Sequence, residues 1–214
     1  MLNALGFKFL TMSEAVEIMR GRWDKPIPKR PVVITIDDGF RSAYKIAYPL
    51  LSKHGAKATL FIYTNAVGRF GLSWGQLKEM VQSGRIEVAS HTVTHTNPNS
   101  LKKRLSPDDY RERLVYEFIA SKRLLEHKLG VKVNGLAYTC GIVDSVAMEI
   151  ARAAGYKWAV TIAPKPFTPH TNPYRIPRYG VSNSTTVLVL RKWLTSKTFA
   201  FAQLSHPMNC KVSH

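Results

Sequence analysis

The chain has 214 residues, 45% hydrophobic and 21% charged, the balance of a globular protein with one domain or at most two. Lysine and arginine total 31 against 14 acids, a formal charge of +17 that draws polyanions: nucleic acid, anionic membrane or anionic cell-wall polymer. No apolar run approaches the roughly 18 residues of a membrane span, and two cysteines, Cys140 and Cys210, are too few for a disulfide framework.

The basic residues are dispersed. Lys102-Lys103-Arg104 is the only tight run, and it reads as a solvated face. No helix-turn-helix, RNP or zinc-finger spacing accompanies them, so nucleic acid is not expected as a partner. The opening Met1–Phe7 has no basic region followed by an apolar one, so no signal peptide is expected.

In chain order, Ser13 is a candidate cap for a helix over Glu14–Arg20, stopped by Gly21. A Pro-rich loop leads to a strand over Val32–Ile36. Ser42–His54 reads as a helix kinked at Pro49 and closed by Gly55. A strand over Lys57–Tyr63, a helix from Ser73 to Gln82 and a strand over Ile86–Ser90 follow. Ser106-Pro107-Asp108-Asp109 has cap, first-turn proline and first-turn acids in order, and opens a long helix to Leu129. Beyond Gly130 come strand Gly135–Tyr138, helix Asp144–Ala154 and strand Lys157–Thr161, then a surface loop over Ala163–Pro173. Strand Arg175–Gly180, helix Ser184–Ser196 and strand Phe199–Ser205 complete the series. About seven strands alternating with helices predict an α/β fold, a distorted (β/α) barrel with a parallel sheet, in one domain over 1–214 whose ends are open to truncation.

In such a barrel, sites collect at the C-terminal ends of the strands. Four features fall there: Asp37-Asp38-Gly39, His91, the turn Tyr138–Gly141, and His206. Adjacent acids ending an apolar run are expensive to desolvate unless they pair or bind metal, although a solvent-facing Asp-Gly turn reads the same stretch equally well. His91 and His95 stand four apart, and on one helical turn they face the same way and chelate one ion. With Asp38 they make two imidazoles and a carboxylate, leaving positions open for water and substrate. His54 and His127 sit near predicted helix C-termini, where positive charge is favourable. His206 on these grounds alone is ambiguous.

These residues are similar to the motifs of the polysaccharide deacetylase family (the NodB-homology domain, carbohydrate esterase family 4). Thr35-Ile36-Asp37-Asp38-Gly39 resembles its first motif with Ile36 for phenylalanine, and His91-Thr92-Val93-Thr94-His95 resembles its second. Ala137-Tyr138-Thr139-Cys140-Gly141 and Leu204-Ser205-His206-Pro207 follow in family order, so the likeness runs nearly the length of the chain.

The resemblance implies a metal-dependent hydrolase that removes N-acetyl groups from the amino sugars of a polysaccharide, an N-acetylglucosamine polymer or peptidoglycan. Asp38, His91 and His95 would hold one divalent ion, zinc first, with cobalt, nickel and manganese as alternatives. Asp37 would be the general base, oriented by Arg178 with Arg175 as second candidate. The backbone N–H of Cys140 would meet the oxyanion, and His206 would protonate the leaving amine. Tyr138 and Leu204 would line the substrate pocket. The family context implies an extracellular or cell-envelope location.

Thr139-Cys140 departs from the usual Pro-Tyr, which supports a second reading: a carbohydrate-binding pseudo-enzyme of the same fold. Cys140 then reads as a buried thiol rather than a ligand. Asn172 stands where relatives often carry an acid partner for the last histidine, and an early strand common in relatives is not seen in the sequence. A third reading is a basic, polyanion-binding protein with an incidental metal site. The sequence does not give the oligomeric state.

Overall fold

The computed structural model describes residue 2, residues 5–195 and residues 200–204, the last five as backbone. Its eight strands are β1 (Lys8–Leu10), β2 (Pro31–Ile36), β3 (Ala58–Ile62), β4 (Ile86–Ser90), β5 (Gly135–Ala137), β6 (Trp158–Val160), β7 (Tyr179–Val181) and β8 (Ala200–Leu204). Every ladder is parallel. The order is β6-β5-β4-β3-β2-β8-β7, with β1 on β2 as well. Ile176 bridges Val160 on β6, and three residues later the same segment becomes β7 and pairs with β8. One short stretch, 176–181, thus ties the two edges of the sheet together, and the expected distorted barrel results.

The period of two sorts each strand between two apolar layers. Leu60, Ile62, Val88 and Leu136 face outward against the helices. Val33, Phe61, Ala89, Ala137 and Val160 face inward, joined by Trp158 and Ile176. β3 is buried over its whole length, as strands covered on both faces are. The interior is filled by a few large groups: the Phe61 ring meets Trp158 edge-on at 5.9 Å. Room for the indole comes from Gly135, directly opposite Trp158 in register.

The outer helices are α1 (Met12–Met19), α2 (Tyr48–Lys53), α3 (Trp74–Gln82), α4 (Pro98–Lys102), α5 (Pro107–Leu129), α6 (Ser145–Ala153) and α7 (Val187–Thr195). Those with complete local signals start where the sequence places them. Ser73 makes a capping box with Gln76, Ser106 caps α5 ahead of Pro107, and Asp144 caps α6.

Other expectations need correction. The cap of α1 is Thr11, in a capping box with Glu14. Ser13 instead gives its N–H and its hydroxyl to Glu87. The early strand exists as β1, although three residues are too few to show a period. The helix expected over Ser42–His54 is not one continuous α-helix: a π-helical turn, Ala43–Ala47, precedes α2, where Pro49 has no N–H to give the carbonyl of Lys45. The loop over Ala163–Pro173 does not simply skirt the surface, since Phe167 is 1% exposed and packs with the interior residues. The run Lys102-Lys103-Arg104 is exposed, as expected, and Lys102 also pairs with Asp144 at 2.5 Å.

A Cβ on Gly135 would lie 1.9 Å from the Trp158 ring, which is itself buried and packed against Phe61. Gly135→Ala is expected to destabilise the protein by about 3 kcal/mol through overpacking. Gly130→Ala, at a helix end with open space around it, should cost only about 1 kcal/mol from its left-handed backbone. Urea unfolding of both variants checks the difference.

Candidate metal centre and its acid pair

The inward positions of β2 run Val33, Thr35, Asp37, and those of β4 run Glu87, Ala89, His91. The same alternation that builds the interior therefore delivers an acid and an imidazole to its C-terminal mouth. Arg178 enters from the closing segment between Ile176 and β7 and is fully buried. Its Nη1 and Nη2 donate to the two carboxylate oxygens of Asp37 at 2.8 and 3.0 Å. Nη1 also donates to Thr35 Oγ1 and Nε to the Thr161 carbonyl, and the guanidinium lies 5.1 Å over the Phe61 ring. Burial by itself would raise the Asp37 pKa, but Arg178 outweighs it, with help from His91 and His95, and the carboxyl is held below its ordinary range. Arg175, the second candidate for this partnership, is exposed.

Asp38 leaves the strand at once. Its φ is 74° and that of Gly39 is 71°, so two successive left-handed residues turn the chain. A Cβ on Gly39 would meet Ile62 Cδ1 at 2.5 Å, which only glycine avoids. The reversal carries the Asp38 carboxylate to the imidazoles: Oδ1 is 3.5 Å from His91 Nε2 and 3.3 Å from His95 Nε2. The two Nε2 atoms are 3.2 Å apart.

The chemistry of these three atoms calls for a cation. His91 Nδ1 lies 2.8 Å from the Ala137 carbonyl and so carries the proton. Its Nε2 then presents a lone pair to a carboxylate oxygen, which is repulsive until something positive stands between them. His95 is pushed down to about 4 by burial first and His91 second, so it too is a neutral donor near pH 7. Asp38, His91 and His95 offer ligand atoms all within 4.8 Å of one another, and they fit a divalent ion with positions left over.

The segment between the imidazoles is not the helical turn that spacing four invites. It is a loop in which Thr92 (φ 72°) and His95 (φ 58°) are left-handed. Its carbonyls at Thr92 and Val93 accept from the N–H groups of Thr64 and Asn65, in the turn after β3. Its N–H groups at Val93 and Thr94 donate to Glu117 on α5, at 2.8 and 2.9 Å. Glu117 was not singled out from the sequence, but it had a signal: an acid inside the apolar stripe Tyr110, Leu114, Phe118, Leu125. Tyr63 was missed as well; its ring lies 5.2 Å from His95, and the half-exposed Phe70 leans on its other side.

The remaining residues divide. Cys140 sits in a one-turn helix, Thr139–Gly141, with a left-handed backbone (φ 54°). It is half-buried and disulfide-bonded, which corrects the buried-thiol reading and removes the sulfur as a ligand. Tyr138 does not line an open pocket: it is 2% exposed, packs on Phe118, and its hydroxyl donates to the Tyr174 carbonyl. Asn172 is a turn residue whose side chain accepts from the Tyr174 N–H. Leu204 pairs in register with Ile36 at the end of β8. His206 and Cys210 lie outside the described residues. A cleft of about 270 Å³ opens beside Asp37, lined among others by Phe40, Ser42, Val181, Ser182 and Asn183.

Breaking a buried ion pair strands the surviving charge. Arg178→Met should lower stability by about 3–5 kcal/mol near pH 7. Asp37 has a depressed pKa, so the pair's contribution is full above the ordinary carboxylate pKa and is lost as pH falls through the lowered one. The gap between wild type and variant should therefore narrow once pH drops below about 4, as read by urea unfolding with a chelator present.

The comparisons agree with this geometry. The family model described as polysaccharide deacetylase matches residues 24–159. YxkH of Bacillus subtilis (strain 168) is 32% identical over 182 residues, covering 85% of this chain and 61% of that protein. The poly-beta-1,6-N-acetyl-D-glucosamine N-deacetylase of Staphylococcus aureus (strain MRSA252) is 28% identical over 193 residues, covering 87% and 65%. The chain thus spans less than two thirds of the length of these curated relatives. Among solved structures, IcaB of Ammonifex degensii superposes with a TM-score of 0.80 at 28% identity, over 91% of this chain and 85% of that one. Because the family match spans more than half of the chain and takes in Asp37, Asp38, His91, His95 and Cys140, the chain belongs to the polysaccharide deacetylase family.

Proposed function

We propose that this chain removes N-acetyl groups from the amino sugars of a polysaccharide, releasing acetate and leaving free amines. One observation carries the reading. Two adjacent acids take different partners, Asp37 a buried guanidinium and Asp38 a pair of imidazoles. That division separates a proton acceptor from a metal ligand. The S. aureus relative's name favours a polymer of N-acetylglucosamine as substrate, with peptidoglycan as the other member of the class. The charge of +17 fits an anionic cell-wall polymer and a cell-envelope location.

The family and the Asp-His-His cluster support a divalent ion, and zinc is the one we propose, with cobalt, nickel and manganese as alternatives. Such an ion supplies Lewis acidity, polarising the acetyl carbonyl and making water a stronger acid. Asp37 takes the proton of the attacking water. Arg178 keeps that carboxylate ionised and fixes its plane, with its own donors used on Asp37, Thr35 and Thr161. As the water oxygen bonds to the carbonyl carbon, the developing oxyanion meets the backbone N–H of Cys140. His206 gives a proton to the nitrogen as the C–N bond breaks. Leu204 receives the acetyl methyl.

Acetate release from N-acetylglucosamine oligomers, assayed with zinc or cobalt, tests the scheme. Asp37→Asn should lower kcat by about 10²–10⁴-fold, the usual contribution of a general base, while metal content stays near one equivalent of wild type. Asp38→Ala and His95→Ala should lose the metal itself, as read by elemental analysis. Acetate release unchanged in Asp37→Asn would overturn the mechanism, and oligomer binding with no acetate released by the wild type would favour the pseudo-enzyme reading.

A further inference from the structure

We propose that Glu117 is a positioning residue that sets the affinity and geometry of the metal centre through the loop carrying His95. The proposal rests on the metal reading given above and extends it to a residue on another element. Glu117 lies on α5, is 2% exposed, and bonds to Val93 and Thr94 rather than to a ligand side chain. It governs the backbone between two of them.

The N–H groups of residues 92–95 all donate to side chains. Thr92 donates to Ser90 Oγ and His95 to Thr92 Oγ1, both within the loop's own neighbourhood. Val93 and Thr94 donate to one oxygen, Oε2 of Glu117. The other oxygen, Oε1, accepts from the Thr94 hydroxyl at 2.5 Å and from Arg113 Nε at 3.0 Å. Arg113 Nη2 also reaches Thr94 Oγ1 at 3.2 Å, so the acid and its arginine grip the loop together.

The loop needs holding. Thr92 and His95 are both non-glycine residues in the left-handed region, where a Cβ crowds the following carbonyl. Thr92, being β-branched, is the more strained. A relaxed loop would swing the His95 imidazole away from His91 and Asp38, because His95 hangs from this backbone with only ring contacts to Tyr63 and His91 beside it. His91, by contrast, is held by its strand and by the Ala137 carbonyl. Glu117 therefore acts on a ligand whose position the sheet does not dictate.

Cobalt titration of the full chain, read by competition with a chromophoric chelator and by the visible d–d bands, tests this. Glu117→Ala and Glu117→Asp, the second too short to reach both amides, should weaken cobalt binding by about 10–100-fold and change the band pattern. Glu117→Gln keeps one oxygen for both amides and should lose less than either. The melting temperature of each metal-free variant is recorded alongside. Variants that melt earlier yet bind cobalt with wild-type affinity and bands would show a merely structural acid and overturn the proposal. Where Glu117→Ala does not fold, Glu117→Asp and the near-isosteric Glu117→Gln carry the same comparison. A wild type that binds no cobalt would sink the metal reading itself, and this inference with it.

Discussion

A single buried guanidinium links the closure of the barrel to its chemistry. Arg178 has no exposed surface, and a charge so placed persists only when its donors are matched. Its partners come from three places: Asp37 and Thr35 on β2 or its end, the Thr161 carbonyl after β6, and the face of Phe61 on β3. The segment that carries it also bonds both edges of the sheet. The interior is roomy enough for it because Gly135, Ala89 and Ala137 are small where Phe61 and Trp158 are large. Packing and base orientation are thus one arrangement, and a change in the barrel filling is felt at Asp37.

Backbone strain is gathered in the same region. Among the described residues, the non-glycine positions with positive φ are Asp38, Thr92, His95 and Cys140. Two are proposed ligands, one lies between ligands, and one supplies the proposed oxyanion donor. Left-handed backbone at ordinary residues survives only where the surroundings over-determine it. Here they do: Ile62 crowds the turn after Asp38, the turn at Thr64–Asn65 takes the loop carbonyls, and Glu117 takes the loop amides. The outcome is a set of donor atoms held 3.2–3.5 Å apart against their own repulsion.

How much of this the sequence revealed depended on how local each cause is. The start of α5 was legible because cap, proline and acids lie within four residues. The strands delivering Asp37 and His91 were legible because their apolar runs are long enough to show. The cap of α1 was missed although Thr11 and Glu14 make a local capping box, because Ser13 is a competing hydroxyl whose engagement with Glu87, far along the chain, the sequence does not show. The His91–His95 spacing was read as a helical turn, yet the amide partners that decide its conformation sit on α5. The motif named the ligands, while the reason they converge lies in residues that no motif contains. Tyr138 is a motif position whose buried side chain packs on Phe118 and bonds the Tyr174 carbonyl, partners that lie outside the motif.

The two ends of the barrel interior make different use of the same residue types. At the N-terminal end of β4, Glu87 accepts from the Ser13 N–H, the Ser13 hydroxyl and the Thr59 hydroxyl, and Trp158 Nε1 donates to Ser13. Burial raises the Glu87 pKa despite those donors. That acid is partly buried and bonded to groups of the protein, and it ties the start of α1 to β4. Two inward positions further along the same strand stands His91, whose Nε2 meets lone pairs rather than donors. An acid among hydroxyls and an amide has its oxygens bonded within the fold, and its work is to hold elements together. An acid and two imidazoles turned toward one another, their ligand atoms all within 4.8 Å, are instead the donor set of a divalent ion. The direction of the sheet therefore separates a structural end from a chemical one, and the test of which is which is the sign of the neighbouring groups, not the burial of the acid.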